Sequence, residues 1–331
     1  MAPEKVPGGG GDLSAPLQAA TRALLDRIAA RGPVIHCLTN PVTAWLVAAT
    51  VRALGAYPVM GDAPEEAAAL ARRADALVVN LGVPSAARAE AVRTALAVAR
   101  RRGIPAVVDP VGVGASPWRE ALVHRILPAL PERRALRLNL AEALALLREG
   151  GPAGLSPEGL APGAGRAEGR LLPGGVPEGR RFPPGAPPSP ELRGVESAGA
   201  WDPERAVRAA RELADRGRLT AVLTGPEDVV AGEGRCLRVR HGHPLMAATV
   251  GTGCAATAAV ASFLAVSADL GLPDPVAAAA AAAVYGLAGE QAASRAAGPG
   301  SLAAALVDEL YVLAQGRLTL PPLRVQEVSR P

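Results

Sequence analysis

The strongest constraint on this chain is a rhythm. Short apolar runs, most of them ending in a polar or turn-forming residue, alternate with longer stretches in which small apolar residues recur at helical spacing. The runs are "PVIHCLTN", "YPVM", "ALVVNLG", "IPAVVDPVGVG", "ALRLN" and "TAVLTG". Between them lie "VTAWLVAATVRALGA", "APEEAAALARRA", "SAARAEAVRTALAVARRRG", "SPWREALVHRILPAL", "LAEALALLREG" and "DPERAVRAARELADRG". Runs of this length suit strands buried on both faces, and the spacing between them suits helices that cover those strands. The predicted class is therefore α/β, with a mainly parallel central sheet and helices on both faces. Aromatic residues make up only 2% of the chain against 49% hydrophobic residues, so the core must be built from Ala, Val and Leu. Such small side chains suit close helix packing better than an all-β sandwich.

The rhythm starts and stops at definite places. Residues 1–12 read as a flexible tail, and "LSAPLQAATRALLDRIAARG" then reads as an amphipathic helix stopped by Gly32. A Gly/Pro-rich segment at 150–193, including "GGVPEGRRFPPGAPPSPELRG", shows no apolar period and is expected to be a disordered surface insertion. After it, "DVVAG" and "CLRVR" are predicted to form a hairpin turning at Glu233-Gly234. Two long Ala-rich helices and a last one, "SLAAALVDELYVLAQG", follow, and 317–331 reads as a C-terminal tail. The expected organisation is one domain over 13–316, broken once by the insertion.

Charge and cysteine usage narrow the function classes. The net charge is +4 with scattered arginines, and a nucleic-acid surface would need clustering that the sequence does not show. Three cysteines, Cys37, Cys236 and Cys254, with no CxxC spacing, argue against a disulfide framework or a zinc site. The first residues lack a signal-peptide apolar core, and the Ala-rich region near 254–291 is too interrupted to suit a membrane span. A soluble, cytoplasmic chain with no membrane or nucleic-acid partner is expected.

Five motifs carry possible chemistry. In "HPLMAATVGTGCAATAAV", Gly251 and Gly253 let the backbone approach a ligand where a helix begins, and the first-turn N–H groups there suit a phosphate. Cys254 lies in that turn, where a helix N-terminus is expected to lower a thiol's pKa. It reads as a base, a nucleophile or a small buried hydrophobe. In "DPVGVG", Asp109 ends a strand and either holds magnesium or caps a turn. In "RLNLAE", Glu142 either orients a magnesium-bound water or complements the helix N-terminus. In "LTGPEDVV", Thr224 either donates to a phosphate or satisfies a local backbone group. "HCLTNP" with "YPVMGDAPEE" sets Asn40 and Met60 where a small organic ligand can dock, and His36 reads as a packed or capping histidine.

In this order, "HCLTN", "ALGAYPVM", "APEE", "LVVNLG", "IPAVVDPVGVGAS", "LNLAE", "GVES", "LTGPEDVV", "GHPLM" and "GTGC" resemble the hydroxyethylthiazole kinase family of the ribokinase-like superfamily, over about 13–150 and 194–316. The resemblance implies ATP-dependent, Mg2+-requiring phosphorylation of 4-methyl-5-(2-hydroxyethyl)thiazole, and a homotrimer with sites between subunits. By position, Asn40, Met60 and Gly251 would contact the thiazole. Arg137 and Thr224 would contact the nucleotide phosphates, and Asp109 and Glu142 would serve magnesium. Cys254 stands where related sugar kinases place an aspartate base.

Four positions depart from the family's pattern. Trp45 and Ala49 replace asparagines in the helix after "TN", Val250 replaces a threonine before "GTGC", and Leu138 replaces the glycine of an "RGN" turn, where it is expected to tighten nucleotide access. The nearest alternative is another small-alcohol kinase of the superfamily, acting on a hydroxymethylpyrimidine or a sugar. A non-catalytic ligand-binding relative is the alternative of a different class.

Overall fold

The computed structural model describes residues 14–148, 192–193, 196–197, 201–316 and 320–329. The expected N-terminal tail lies outside the described residues. So does the expected insertion, apart from its last two residues.

The first half alternates as its sequence does. Helix α1 (Ser14–Arg31) leads to β1 (Val34–Leu38), α2 (Ala44–Ala53), β2 (Tyr57–Met60), α3 (Pro64–Arg73), β3 (Ala76–Asn80) and α4 (Ala86–Arg102). Next come β4 (Ala106–Asp109), α5 (Pro117–Ile126), β5 (Arg134–Asn139) and α6 (Leu140–Leu147). A small antiparallel ribbon, β6 (Leu192–Arg193) and β7 (Glu196–Ser197), precedes α7 (Pro203–Gly217) and β8 (Thr220–Thr224). Then follow β9 (Asp228–Gly232), β10 (Arg235–Val239), the short α8 (Pro244–Ala247), α9 (Thr252–Ser267), α10 (Asp274–Ala293), α11 (Pro299–Ala314) and β11 (Val325–Glu327).

The main sheet has nine strands in the order β11-β10-β9-β8-β5-β4-β3-β1-β2. Strands β2, β1, β3, β4, β5 and β8 run parallel, and β9, β10 and β11 add an antiparallel edge. The predicted hairpin is present: Glu233 and Gly234 both take positive φ, 49° and 78°, as a two-residue primed turn requires.

Strand parity sorts the side chains into two cores. Ile35, Val78, Val107, Ala135 and Val222 face one layer, packed with α1, α2, α9, α10 and α11. Leu77, Val108, Leu136 and Leu223 face the other, with α3 to α7. Helices α9 and α10 are apolar on nearly every side and are buried almost throughout. The stretch Thr252–Leu270 is long and apolar enough to cross a membrane, but 67% of it is buried inside the fold.

One expectation needs correction. Residues 317–331 were expected to trail off the domain, yet β11 extends the sheet. Leu237, Arg238 and Val239 of β10 pair with it, and Arg235 forms an ion pair with Glu327 at 2.9 Å. Three residues are too few to carry a readable period, so this strand is defined by its partner.

Candidate active site

Parity also explains why the site exists. Asn80, Asp109, Arg137 and Thr224 share the alternation of Val78, Val107, Ala135 and Val222, so their side chains point to the α9 layer. Each lies at or near the C-terminal end of its strand, and β3, β4, β5 and β8 are neighbours in the sheet. Four polar groups therefore line up under the start of α9.

That start is built by glycine. Gly251 is the N-cap with φ 94°, and a Cβ on it would meet Thr43 Cγ2 at 3.1 Å. A Cβ on Gly253 would come within 2.6 Å of Arg137 Nη1. The missing side chain thus lets a guanidinium lie against the first turn, beside N–H groups that have no intrahelical partner. Tyr285, from α10, donates to the Thr252 carbonyl at 2.8 Å and fixes the turn from behind.

Arg137 is nearly buried, with 14% of its side chain exposed. Its Nη2 donates to Thr224 Oγ1 at 2.5 Å, and its Nη1 is 3.8 Å from Asp109 Oδ1. Burial opposes its charge, but Asp109, Glu142, Cys254 and Asp228 together outweigh burial and hold it protonated. Asp109 is fully buried. Its Oδ2 accepts from Asn80 Nδ2 at 2.8 Å and from Thr257 Oγ1 at 3.3 Å. Burial raises its pKa despite those donors and the guanidinium. Its other oxygen, Oδ1, has no hydrogen-bond partner among the described residues. The alternative reading of Asp109 as a local turn cap is not what the contacts give.

Glu142 complements the start of a helix, the second of its two readings. It forms a capping box with Asn139, accepting from the Asn139 N–H at 2.9 Å, and its other oxygen accepts from Gly112 N at 2.7 Å. It therefore ties the start of α6 to the "DPVGVG" loop. Burial, with Asp109 adding, pushes its pKa up to about 7.

Cys254 corrects an expectation. The helix N-terminus was expected to lower its thiol pKa, but burial first and the Asp109 charge second push it up to about 12. Its sulfur accepts from Asn80 Nδ2 at 3.1 Å, and the same Asn80 nitrogen bonds Asp109. The partial charge of one helix end does not outweigh desolvation beside a carboxylate.

The other expected positions are placed as follows. Asn40 is buried, with its Nδ2 donating to Asn80 Oδ1 at 2.8 Å and lying 3.8 Å from the Cys254 sulfur. Met60, at the end of β2, lines a cavity of about 360 Å³ together with Thr39, Pro41, Asp62 and Arg88. Thr39 and Pro41 flank Asn40, so this cavity abuts the amide cluster. Leu138, expected to tighten nucleotide access, has the opposite parity to Arg137 and turns into the far core, fully buried. Trp45 and Val250 are exposed and Ala49 is half-buried. His36 donates from Nε2 to the Gly61 carbonyl at 2.7 Å, within the predicted packed role.

Asn80 and Thr257 were not singled out by sequence reasoning. A polar residue closing "ALVVN" at the parity of the α9 face was the available signal for Asn80. Thr257 gave none, because its partner comes from β4, 148 residues away. Among the described residues, no group of three His, Cys, Asp or Glu side chains could hold a metal by itself.

Comparison with known proteins identifies the family. The family described as "Hydroxyethylthiazole kinase family" matches residues 25–154 and 188–316. Hydroxyethylthiazole kinase of Rubrobacter xylanophilus is 38% identical over 289 residues, covering 87% of this chain and 91% of that protein. The Kineococcus radiotolerans enzyme of the same name is 39% identical over 312 residues, covering 94% and 92%. A solved structure of the hydroxyethylthiazole kinase protein from Pyrococcus horikoshii superposes with TM-score 0.70 at 28% identity, covering 94% of this chain and 99% of that one. A Bacillus subtilis putative kinase, YxkO, shares the fold at TM-score 0.53 and 16% identity, covering 90% and 97%. With a family match over most of its length and relatives 38% and 39% identical along most of theirs, this chain belongs to the hydroxyethylthiazole kinase family.

Proposed function

We propose that this protein transfers the γ-phosphoryl group of ATP to the hydroxyl of 4-methyl-5-(2-hydroxyethyl)thiazole, in thiamine biosynthesis or salvage. The observation that carries this reading is the convergence of Asp109, Arg137, Thr224 and Cys254 beneath the first turn of α9, next to the Met60 cavity. In the reaction the alcohol oxygen forms a bond to the γ-phosphorus, the bridge to the β-phosphate breaks, ADP leaves, and the alcohol proton is released. Such a transfer asks for alignment and for positive charge around the migrating group. Arg137 and the Gly251–Cys254 N–H groups supply that charge, and Thr224 orients the guanidinium. The Met60 cavity takes the thiazole ring, with Asn40 and Gly251 at its hydroxyl end.

The residues fit a magnesium ion. Asp109 Oδ1 is buried without a hydrogen-bond partner among the described residues, and burial, with the Asp109 charge adding, raises the pKa of Glu142. Asp109 and Glu142 would hold the ion, which would supply neutralising charge for the transfer, as hard oxygen ligands of this kind suit Mg2+.

The Cys254 thiol, with its raised pKa, is a weak acceptor for the alcohol's proton, so it orients the hydroxyl more than it deprotonates it. The active form we propose is a homotrimer. Val42, Trp45, Met60 and Val250 are large apolar side chains left exposed, several of them close to the site, as an interface between copies would require. A cytoplasmic location accords with three free thiols and with the need for ATP.

The test is ADP release by purified protein with ATP, magnesium and the thiazole alcohol. Release that depends on the thiazole supports the reading. Release with a pyrimidine or sugar alcohol but not the thiazole moves the protein to another alcohol, and thiazole binding without ADP release makes it a non-catalytic relative.

A further inference from the structure

Asn80 uses its whole hydrogen-bonding capacity between the two groups at the alcohol end of the site. Its side chain is 1% exposed. The Oδ1 accepts from Asn40 Nδ2 at 2.8 Å and from the Gly82 N–H at 3.0 Å. The Nδ2 donates to Asp109 Oδ2 at 2.8 Å and to Cys254 Sγ at 3.1 Å. A primary amide has two donors and two acceptor lone pairs, and all four are in use.

Backbone groups set the polarity of this chain of amides. Gly82 N–H can only donate, so it identifies the oxygen of Asn80. Thr43 N–H, donating to Asn40 Oδ1 at 3.2 Å, identifies the oxygen of Asn40 in the same way. Neither amide can flip without placing donor against donor. Packing adds a second lock: a Cβ on Gly82 would lie 2.7 Å from Asn40 Nδ2 and 2.9 Å from Asn80 Oδ1. The direction of every hydrogen bond from Thr43 to Cys254 is thus fixed before any ligand arrives.

We infer that Asn80 is a positioning residue for phosphoryl transfer, holding the Asp109 carboxylate and the Cys254 sulfur in a single mutual arrangement through an amide relay that begins at Thr43. This rests on the kinase reading above. The relay starts in the loop that borders the Met60 cavity and ends at the start of α9, so it joins the alcohol side of the site to the phosphate side. Asn80 acts through Asp109 and Cys254.

The test is steady-state kinetics of Asn80→Ala, Cys254→Ala and the double variant, with Gly82→Ala as a second perturbation that keeps both amides but crowds them. A misplacement of this kind costs about 10- to 100-fold in rate. The expected result is a loss of that size in kcat for Asn80→Ala, with the ATP KM changed less than about 3-fold, and a similar split for Gly82→Ala. In the Cys254→Ala background the Asn80→Ala loss should shrink, because one of the groups it positions is gone. An equal loss in both backgrounds, or a change in thermal stability or ATP KM with kcat intact, overturns the inference. If Asn80→Ala does not fold, an unchanged kcat in Gly82→Ala overturns it. Absence of thiazole-dependent ADP release by the wild type overturns the kinase reading, a different outcome from an active wild type whose variants keep full kcat.

Discussion

At the scale of single residues, Cys254 and Asp109 divide the work unequally. A thiol with a pKa of about 12 is a poor base near neutral pH, so Cys254→Ala should keep measurable turnover, with kcat down by no more than about 100-fold. Asp109→Ala should lose about 1,000-fold or more, since it removes a buried carboxylate that faces Arg137 and that the proposed reaction places beside magnesium. An alanine at 254 as inactive as one at 109 would contradict this division. Gly253 lies against the Arg137 guanidinium, so Gly253→Ala should lower stability by about 1–3 kcal/mol in chemical denaturation, because overpacking here disturbs a buried charge held by Thr224 and Asp109. The added Cβ would displace the Arg137 guanidinium, and kcat/KM for ATP should fall roughly 10-fold or more. Most residues of the site were legible because strand ends rich in Asp, Asn and Thr are visible in a sequence. The state of Cys254 was not, because its pKa depends on how deeply the sheet and α9 enclose it.

At the scale of elements, the added strand and the turn after β2 show what pairing contributes. Arg235 and Glu327 are 13% and 7% exposed, and they join β10 to β11. Arg235→Ala would leave the Glu327 carboxylate buried without that partner, and urea unfolding should show a loss of about 3 kcal/mol or more. A loss below about 1 kcal/mol would mean that this ion pair contributes little to holding β11, beside the backbone ladder and the Arg211 contacts to Val328 and Ser329. On β1, His36 has Nε2 on the Gly61 carbonyl and a buried Nδ1 with no hydrogen-bond partner among the described residues. Burial lowers its pKa below the usual 6.5 in the folded state. The unfolded chain therefore takes up the proton first as pH falls, so the stability His36 contributes is complete above 6.5 and is lost progressively below it. The stability difference between wild type and His36→Gln should accordingly narrow from pH 7.5 to pH 5.5 in urea titrations at both values. A difference that stays constant would show that the imidazole is not held neutral by the fold.

At the scale of the whole molecule, one sheet separates two helical layers, and most of the polar strand-end groups of the site point to the α9 layer, while Glu142 reaches it from α6. Exposed Val42 and Trp45 stand near the start of α2, whose Thr43 and Leu46 pack against Gly251. If the proposed trimer forms through this face, Trp45→Arg should shift the protein toward monomer in sedimentation velocity and lower activity, because the proposed subunit contacts border the site. An unchanged sedimentation coefficient would exclude Trp45 from any interface. The sequence by itself determined the order of the parallel elements, the hairpin at Glu233-Gly234 and the motifs that mark the family, since periodicity, turn chemistry and local residue choice are properties of neighbours along a chain. The tertiary structure alone decided which strand ends stand side by side, that Leu138 faces away from the site, that Asn80 joins Asp109 to Cys254, and that β11 closes the sheet. Those depend on contacts between residues far apart in sequence, and on desolvation, which no short segment carries by itself.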